Sequence, residues 1–166
     1  GVIITAFSGQ AMQEQKYHEI FENSQAGIFT FDLELQQIRE VNEKAAAILG
    51  YTREDLAAQL FSTLWFDDAQ EVRFMEKITR DRQIANMEIA LRKKDRTVIW
   101  VLMTAAMTNE DWVVCSIVDI TEMKRVKDEL IESELRYRTL FDGAADAVFL
   151  HDYDGKIFET NVIASR

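Results

Sequence analysis

Gly27-Ile28-Phe29-Thr30-Phe31-Asp32, a polar tip, and then Gln37-Ile38-Arg39-Glu40-Val41 running into Asn42 form the stretch on which the fold turns. Each half is strand-length and rich in β-branched or aromatic side chains, so the pair reads as a hairpin. The pattern returns later in the chain. Tyr17, Phe21, Phe29 and Asp32 stand 120 positions before Tyr137, Phe141, Phe149 and Asp152, with Ile20/Leu140, Glu22/Asp142 and Ile28/Val148 as near matches. With one residue dropped from the tip the offset becomes 119, and Ile38, Glu40, Asn42 and Ala45 fall on Ile157, Glu159, Asn161 and Ala164. A period this long means tandem domains rather than a solenoid. The chain reads as one whole unit followed by the opening of another, which ends inside its first short helix without enough strands to cover its own apolar face.

Upstream of the hairpin, Val2-Ile3-Ile4-Thr5 is a β-branched run suited to a strand, and Tyr17-His18-Glu19-Ile20-Phe21 looks helical. Downstream, Asn42 is placed to cap a helix carrying Ala45, Ala46, Ala47, Ile48 and Leu49 and stopped at Gly50, while Thr52-Arg53-Glu54-Asp55 has the form of a capping box. Asp67 and Asp68 are placed to cap a third helix through Val72 and Met75. Met87-Glu88-Ile89-Ala90-Leu91-Arg92 alternates with period two, Lys93-Lys94-Asp95-Arg96 is a charged turn, and residues 98–107 and 112–120 are two more strands joined through Asn109-Glu110-Asp111. Hairpin succession implies an antiparallel sheet. From Thr121 the period changes: Met123, Val126, Leu130, Ser133, Tyr137 and Leu140 follow steps of three and four, the seam of a coiled coil interrupted at Ser133, which reads as a dimer helix.

These residues resemble the PAS sensor-domain family. The resemblance rests on residues 17–42 with the Gly27-Ile28-Phe29-Thr30-Phe31-Asp32 opening, and on Asn42 followed by Ala45-Ala46, Leu49-Gly50-Tyr51-Thr52 and Glu54-Asp55-Leu56. It continues through Glu88 to Arg92 with Lys94-Asp95, Val98-Ile99-Trp100-Val101, and Asp119-Ile120-Thr121 leading into the long helix. It covers residues 17–121 fully and 137–166 as a truncated second copy. One position departs: the family commonly has Gly after the Lys-Asp of the turn, where Arg96 stands here. The resemblance implies an α+β fold, a five-stranded antiparallel sheet with short helices on one face, flanked here by a long C-terminal coiled-coil helix. It implies sensing, dimerisation and signal relay, usually upstream of a histidine kinase, a cyclase or a transcription regulator. The expected segments are 1–16, the end of an upstream domain and a linker; 17–121, a PAS domain; 122–141, a signalling helix; and 137–166, the start of a second PAS domain.

Composition narrows the function. With 19 Lys+Arg against 29 Asp+Glu the net charge is −10, which repels phosphate backbones and anionic headgroups, so no nucleic-acid or membrane partner is expected. Hydrophobic residues make up 48% of the chain, a globular share, yet no apolar run approaches a membrane span. The single cysteine, Cys115, fits a reducing compartment, and a cytoplasmic location is expected. The chain opens at Gly1 without Met or a leader pattern and reads as an excised or processed piece.

Cofactor chemistry finds few candidates. PAS-like haem sensors usually hold iron through a pocket histidine, but no histidine lies between His18 and His151. Light-sensing flavin domains of this class need a reactive cysteine on a helix within an Asn-Cys-Arg type motif, which is missing, and one Cys with two distant His cannot assemble a structural zinc site. No cofactor and no metal are therefore expected, although a small apolar ligand or a non-covalently held flavin stays open. No catalytic motif is visible, so the fragment is read as non-enzymatic. Ile48, Leu56, Leu60, Met87, Ile89, Trp100, Leu102, Cys115 and Ile117 are the candidate lining of an apolar pocket under the helices; the same residues would equally serve as packed core.

Relay is assigned to Asp119, Ile120 and Thr121. In the resembling family the acid of this triplet commonly pairs with a nearby base, for which Arg92 and Lys94 are candidates; alternatively Asp119 only caps the helix from Thr121. Met123, Val126, Leu130, Tyr137 and Leu140 are assigned to a homodimer helix. The favoured function is a sensory and dimerisation module that relays pocket or interface changes to a downstream output domain, a histidine kinase. The rivals are a ligand-free PAS spacer and a fragment of an enzyme whose catalytic domain lies outside this chain. A further expectation concerns phase: if Ile3-Ile4-Thr5-Ala6-Phe7-Ser8 were the last strand of an upstream copy, Ser8 would precede Tyr17 by nine residues where Thr121 precedes Tyr137 by sixteen, a difference of one heptad.

Overall fold

The computed structural model describes residues 2–164; Gly1, Ser165 and Arg166, at the outer edges of the expected segments 1–16 and 137–166, lie outside it. The chain divides into two compact units, one running to Thr121 and one from Glu122 onward. Helix α1 (Val2–Asn23) opens the first unit. This corrects the strand expected at Val2-Ile3-Ile4-Thr5 and the upstream-domain strand expected over Ile3 to Ser8, and the heptad comparison built on that strand falls with it. A strand needs a ladder partner for its N–H and C=O groups, whereas a helix satisfies them internally, and a β-branched run lowers helix propensity by well under ~1 kcal/mol per residue.

Strands β1 (Gly27–Asp32) and β2 (Ile38–Val41) form the hairpin, paired through Phe29↔Val41 and Phe31↔Ile38. Asn42 caps α2 (Glu43–Leu49) by accepting from Ala45 N at 2.9 Å, and Gly50 ends that helix at φ +74°. Gly27 is required by contact rather than by torsion: a Cβ there would come within 2.7 Å of Ala45 Cα, so β1 and α2 touch backbone to backbone. Thr52 caps α3 (Arg53–Ala57) by accepting from Asp55 N at 3.1 Å, as the capping box predicts. After a 3-10 turn (Phe61–Leu64), Asp67 caps α4 (Asp68–Asp81), which buries Phe74 and Ile78.

Three long antiparallel strands follow, β3 (Gln83–Arg92), β4 (Val98–Met107) and β5 (Trp112–Asp119), giving a five-stranded sheet in the order β2-β1-β5-β4-β3. Strand β3 starts four residues before the alternating stretch from Met87, because a bulge between Ile84 and Met87, with Asn86 at φ +51°, breaks the period of two. The charged turn closes with Arg96 in the left-handed region at φ +70°, the position where the family commonly has Gly. Phe29, Phe31, Ile89, Leu91, Ile99, Val101, Met103, Val113, Cys115 and Ile117 share the sheet face that packs with the helices in one core.

The 22-residue helix α5 (Thr121–Asp142) starts at the last residue of the first unit, and the second unit holds the rest of it with the hairpin of β6 (Phe149–His151) and β7 (Ile157–Thr160). On α5 the residues Met123, Val126, Leu130, Tyr137 and Leu140 are all exposed.

Candidate functional site

The space between helices and sheet, where an apolar pocket is expected, is filled by rings. Phe61, on the 3-10 turn, stacks on Phe31 at 4.1 Å between centroids and touches Phe29 at 5.8 Å, Trp65 at 5.4 Å and Phe74 at 5.4 Å. Trp65 and Phe74 close the cluster at 5.4 Å. These aromatics escaped the sequence reading; the clue available was Phe61 and Trp65 sitting four residues apart just before a capped helix.

Six of the nine expected lining residues come together, as packed core. Leu56, Ile89, Cys115 and Ile117 are fully buried in the core, and Ile48 and Met87 are half-buried against it. Trp100 and Leu102 are half-buried on the opposite face of the sheet, because they alternate with Ile99, Val101 and Met103, which face the helices. Leu60 is exposed. The pocket set is corrected accordingly: Trp100, Leu102 and Leu60 cannot line a chamber under the helices. An open groove of about 770 Å³ lies elsewhere, on the outer sheet face, where Tyr17, Thr30, Arg39, Glu40, Trp112 and Val114 meet.

The interior does not fit a flavin. An isoalloxazine needs a flat slot and polar side chains along its edge, but the face of Phe31 is covered by the stacked Phe61 ring and the buried Asn42 spends its whole amide on backbone. Cys115 lies on a strand, wholly buried, and burial pushes its thiol well above the usual range, so it is neither thiolate nor accessible. His18 and His151 are exposed, on α1 and β6. Among the described residues no group of three or more His, Cys, Asp or Glu is arranged to hold a metal, and no helix is long and apolar enough to cross a membrane. One buried donor stands open: Trp65 is 4% exposed and its indole Nε1 has no hydrogen-bond partner.

The relay triplet is tightly built. Ile120 is buried and its N–H donates to Trp100 O at 2.9 Å, while Thr121 Oγ1 accepts from Trp100 N at 3.0 Å and donates to Trp100 O at 3.4 Å. Asp119 Oδ1 accepts from Thr121 N at 2.9 Å, the capping geometry. Neither candidate base pairs with it: Arg92 lies over the Phe66 ring at 5.8 Å, and Lys94 Nζ donates to Asp55 Oδ2 at 2.6 Å. The last strand is therefore riveted to β4 at Trp100, just where α5 begins.

A five-stranded antiparallel sheet in the order β2-β1-β5-β4-β3 with short helices packed over one face defines an α+β domain. A PAS domain model matches residues 25–122, so the chain belongs to the PAS domain family, whose domains are sensor modules; a second PAS domain model matches residues 135–161. The fold is shared with a domain of a sensory box sensor histidine kinase/response regulator from Geobacter sulfurreducens, at 20% identity and TM-score 0.58, covering 66% of this chain and 96% of that one. It is also shared with the PAS domain of an HTR-like protein from Haloarcula marismortui, at 19% identity and TM-score 0.58, covering 70% and 98%. The PAS domain of a LuxR-family transcriptional regulator from Burkholderia thailandensis, solved in complex with ethanol, matches at 19% identity and TM-score 0.55, covering 63% and 96%. At these identities the likeness is one of fold. Among curated proteins none matches this chain.

Proposed function

We propose that this chain is a cytoplasmic sensory and dimerisation module of a signal-transduction protein. It passes changes at its interior or its dimer contact through Asp119, Ile120 and Thr121 into α5 and on to a downstream output domain, a histidine kinase. The observation that carries this reading is the junction: Thr121 both accepts from and donates to the Trp100 backbone, so a shift of β4 against β5 reaches the first turn of α5 directly. The exposed stripe of Met123, Val126, Leu130, Tyr137 and Leu140 supports pairing of two α5 helices, since apolar side chains at this spacing are covered when a second copy lies alongside. A histidine kinase as the output draws support from the Geobacter relative. Inserting four or seven residues after Lys127 of the full-length parent tests the relay. Seven preserves the seam and is expected to keep signalling, whereas four rotates it out of register and is expected to lock or abolish output. Equal tolerance of both would overturn the relay.

A second reading, a ligand-free spacer, is favoured by the ring cluster around Phe61, which leaves no slack for a bulky guest. The open Trp65 Nε1 favours instead a small ligand bearing a hydrogen-bond acceptor. Native mass spectrometry of the purified chain separates them by the presence or absence of a bound small molecule.

A further inference from the structure

Asn42 is fully buried, and its side chain spends every hydrogen-bonding position on backbone. Oδ1 accepts from Ile28 N at 2.8 Å and Ala45 N at 2.9 Å, while Nδ2 donates to Phe21 O at 2.8 Å and Ala26 O at 3.2 Å. Capping α2 accounts for one of these four bonds. The bond to Phe21 is of another kind, because Phe21 belongs to the last turn of α1, whose carbonyls have no partner within the helix. One amide thus ties together the end of α1, the start of β1 and the first turn of α2. Glu22 adds a second hold, through an ion pair with Arg53 and by accepting from Glu43 N at 3.5 Å. Residues 9–20 of α1 are otherwise exposed, so the helix is held at this end.

The same arrangement is repeated in the second unit. Asn161, again fully buried, accepts from Val148 N at 3.0 Å and Ala164 N at 3.1 Å, and donates to Phe141 O at 3.1 Å and Asp146 O at 2.9 Å. Asp142 takes the place of Glu22, accepting from Val162 N at 3.3 Å. The two sites match position by position, with Phe21 and Phe141, Ile28 and Val148, and Ala45 and Ala164 as partners. The second site is complete around two short strands, so it does not require a five-stranded sheet.

We infer that Asn42 and Asn161 are grips by which each unit seizes the helix running into it, making that helix an input lever and not a passive tether. A tilt or twist of α1 pulls on Phe21 O, and the amide hands that pull to the Ile28 N–H of β1. Strand β1 pairs with β5 through Gly27↔Ile117 and Ile28↔Ser116, two to three residues from the Asp119 junction. The grip concerns the incoming side and stands whether or not α5 relays a signal outward.

Amide hydrogen exchange on the whole chain tests it, comparing Asn42→Ser with Asp67→Ala. Serine retains an oxygen for the Ala45 cap but cannot reach Phe21 O; alanine at 67 removes the α4 cap, away from α1 and from the Arg53 that holds Glu22. With the grip lost, amides 18–23 are expected to exchange about tenfold faster relative to those of β5, the worth of the one buried hydrogen bond to Phe21 O. Asp67→Ala is expected to leave that ratio unchanged. An unchanged ratio in Asn42→Ser, or the same change in both variants, overturns the proposal. If Asn42→Ser does not fold, Asn161→Ser is read on amides 138–142 against the intact first unit of the same chain, with the same two outcomes.

Discussion

Replacing Phe61 by Ala asks whether the chamber of this sensor is closed by its own side chains. Phe61 has four aromatic neighbours, the nearest at 4.1 Å, and is wholly buried. A buried Phe→Ala change costs about 3–5 kcal/mol, the transfer term plus the cavity left behind. Loss of several ring contacts, each worth about 0.5–1.5 kcal/mol, places this site in the upper half of that range. For a domain of this size the melting temperature should fall by on the order of 15 °C, and the urea midpoint by about 2 M at an ordinary m-value. Urea unfolding followed by tryptophan fluorescence reads the effect, since Trp65 lies in the cluster. The apolar void left behind should also accept a benzene-sized guest, which would return part of the lost stability in a concentration-dependent way. A cost below about 1.5 kcal/mol with an unchanged m-value would mean that the rings relax into spare space. That result would refute the filled interior.

Other perturbations follow from the same geometry. Val126→Lys combined with Leu130→Lys puts like charges into the α5 stripe and should turn dimers into monomers in analytical sedimentation; an unchanged dimer would move the interface elsewhere, for example to the exposed Tyr17 and Ile20 of α1. Arg96→Gly should stabilise the chain by about 0.5–1 kcal/mol in urea melts, because φ +70° strains an L side chain and not glycine; no gain would mean that the Arg96 side chain offsets the strain. The Lys94 ammonium hydrogen-bonded to Asp55 holds that carboxyl below the usual carboxylate range. Its contribution to stability is complete above the unfolded pKa and is lost as pH falls through the folded one. Carbon-detected NMR should place the Asp55 midpoint low, and Lys94→Ala should raise it toward the ordinary value; an unmoved midpoint would refute the pairing.

What the sequence disclosed was local. The hairpin at Gly27, the caps at Asn42, Thr52 and Asp67, and the stop at Gly50 are each decided by a few neighbouring residues, and the structure has them as read. The pocket was misread because both faces of β4 carry apolar side chains, so that Trp100 and Leu102 look as eligible as Ile99, Val101 and Met103 until the register with β5 fixes the phase. The bulge at Asn86 hid the first half of β3 in the same way. The β-branched run at Val2 promised a strand, but it forms the start of α1. Asn42 was legible as a cap but not as a grip, since Phe21 lies 21 residues upstream and their meeting is a tertiary event.

Cys115 sits at the middle of β5, paired to Phe29 on one side and Ala105 on the other, with its thiol sealed from water. Such a sulfur is a built-in clock. A thiol-specific reagent can label it only when the central strands part, so the labelling rate of the untouched protein counts openings of the sheet. Cysteines introduced on α1 or α5 would meanwhile take up fluorophores at once, which lets the motion of those helices be followed without first removing the native residue.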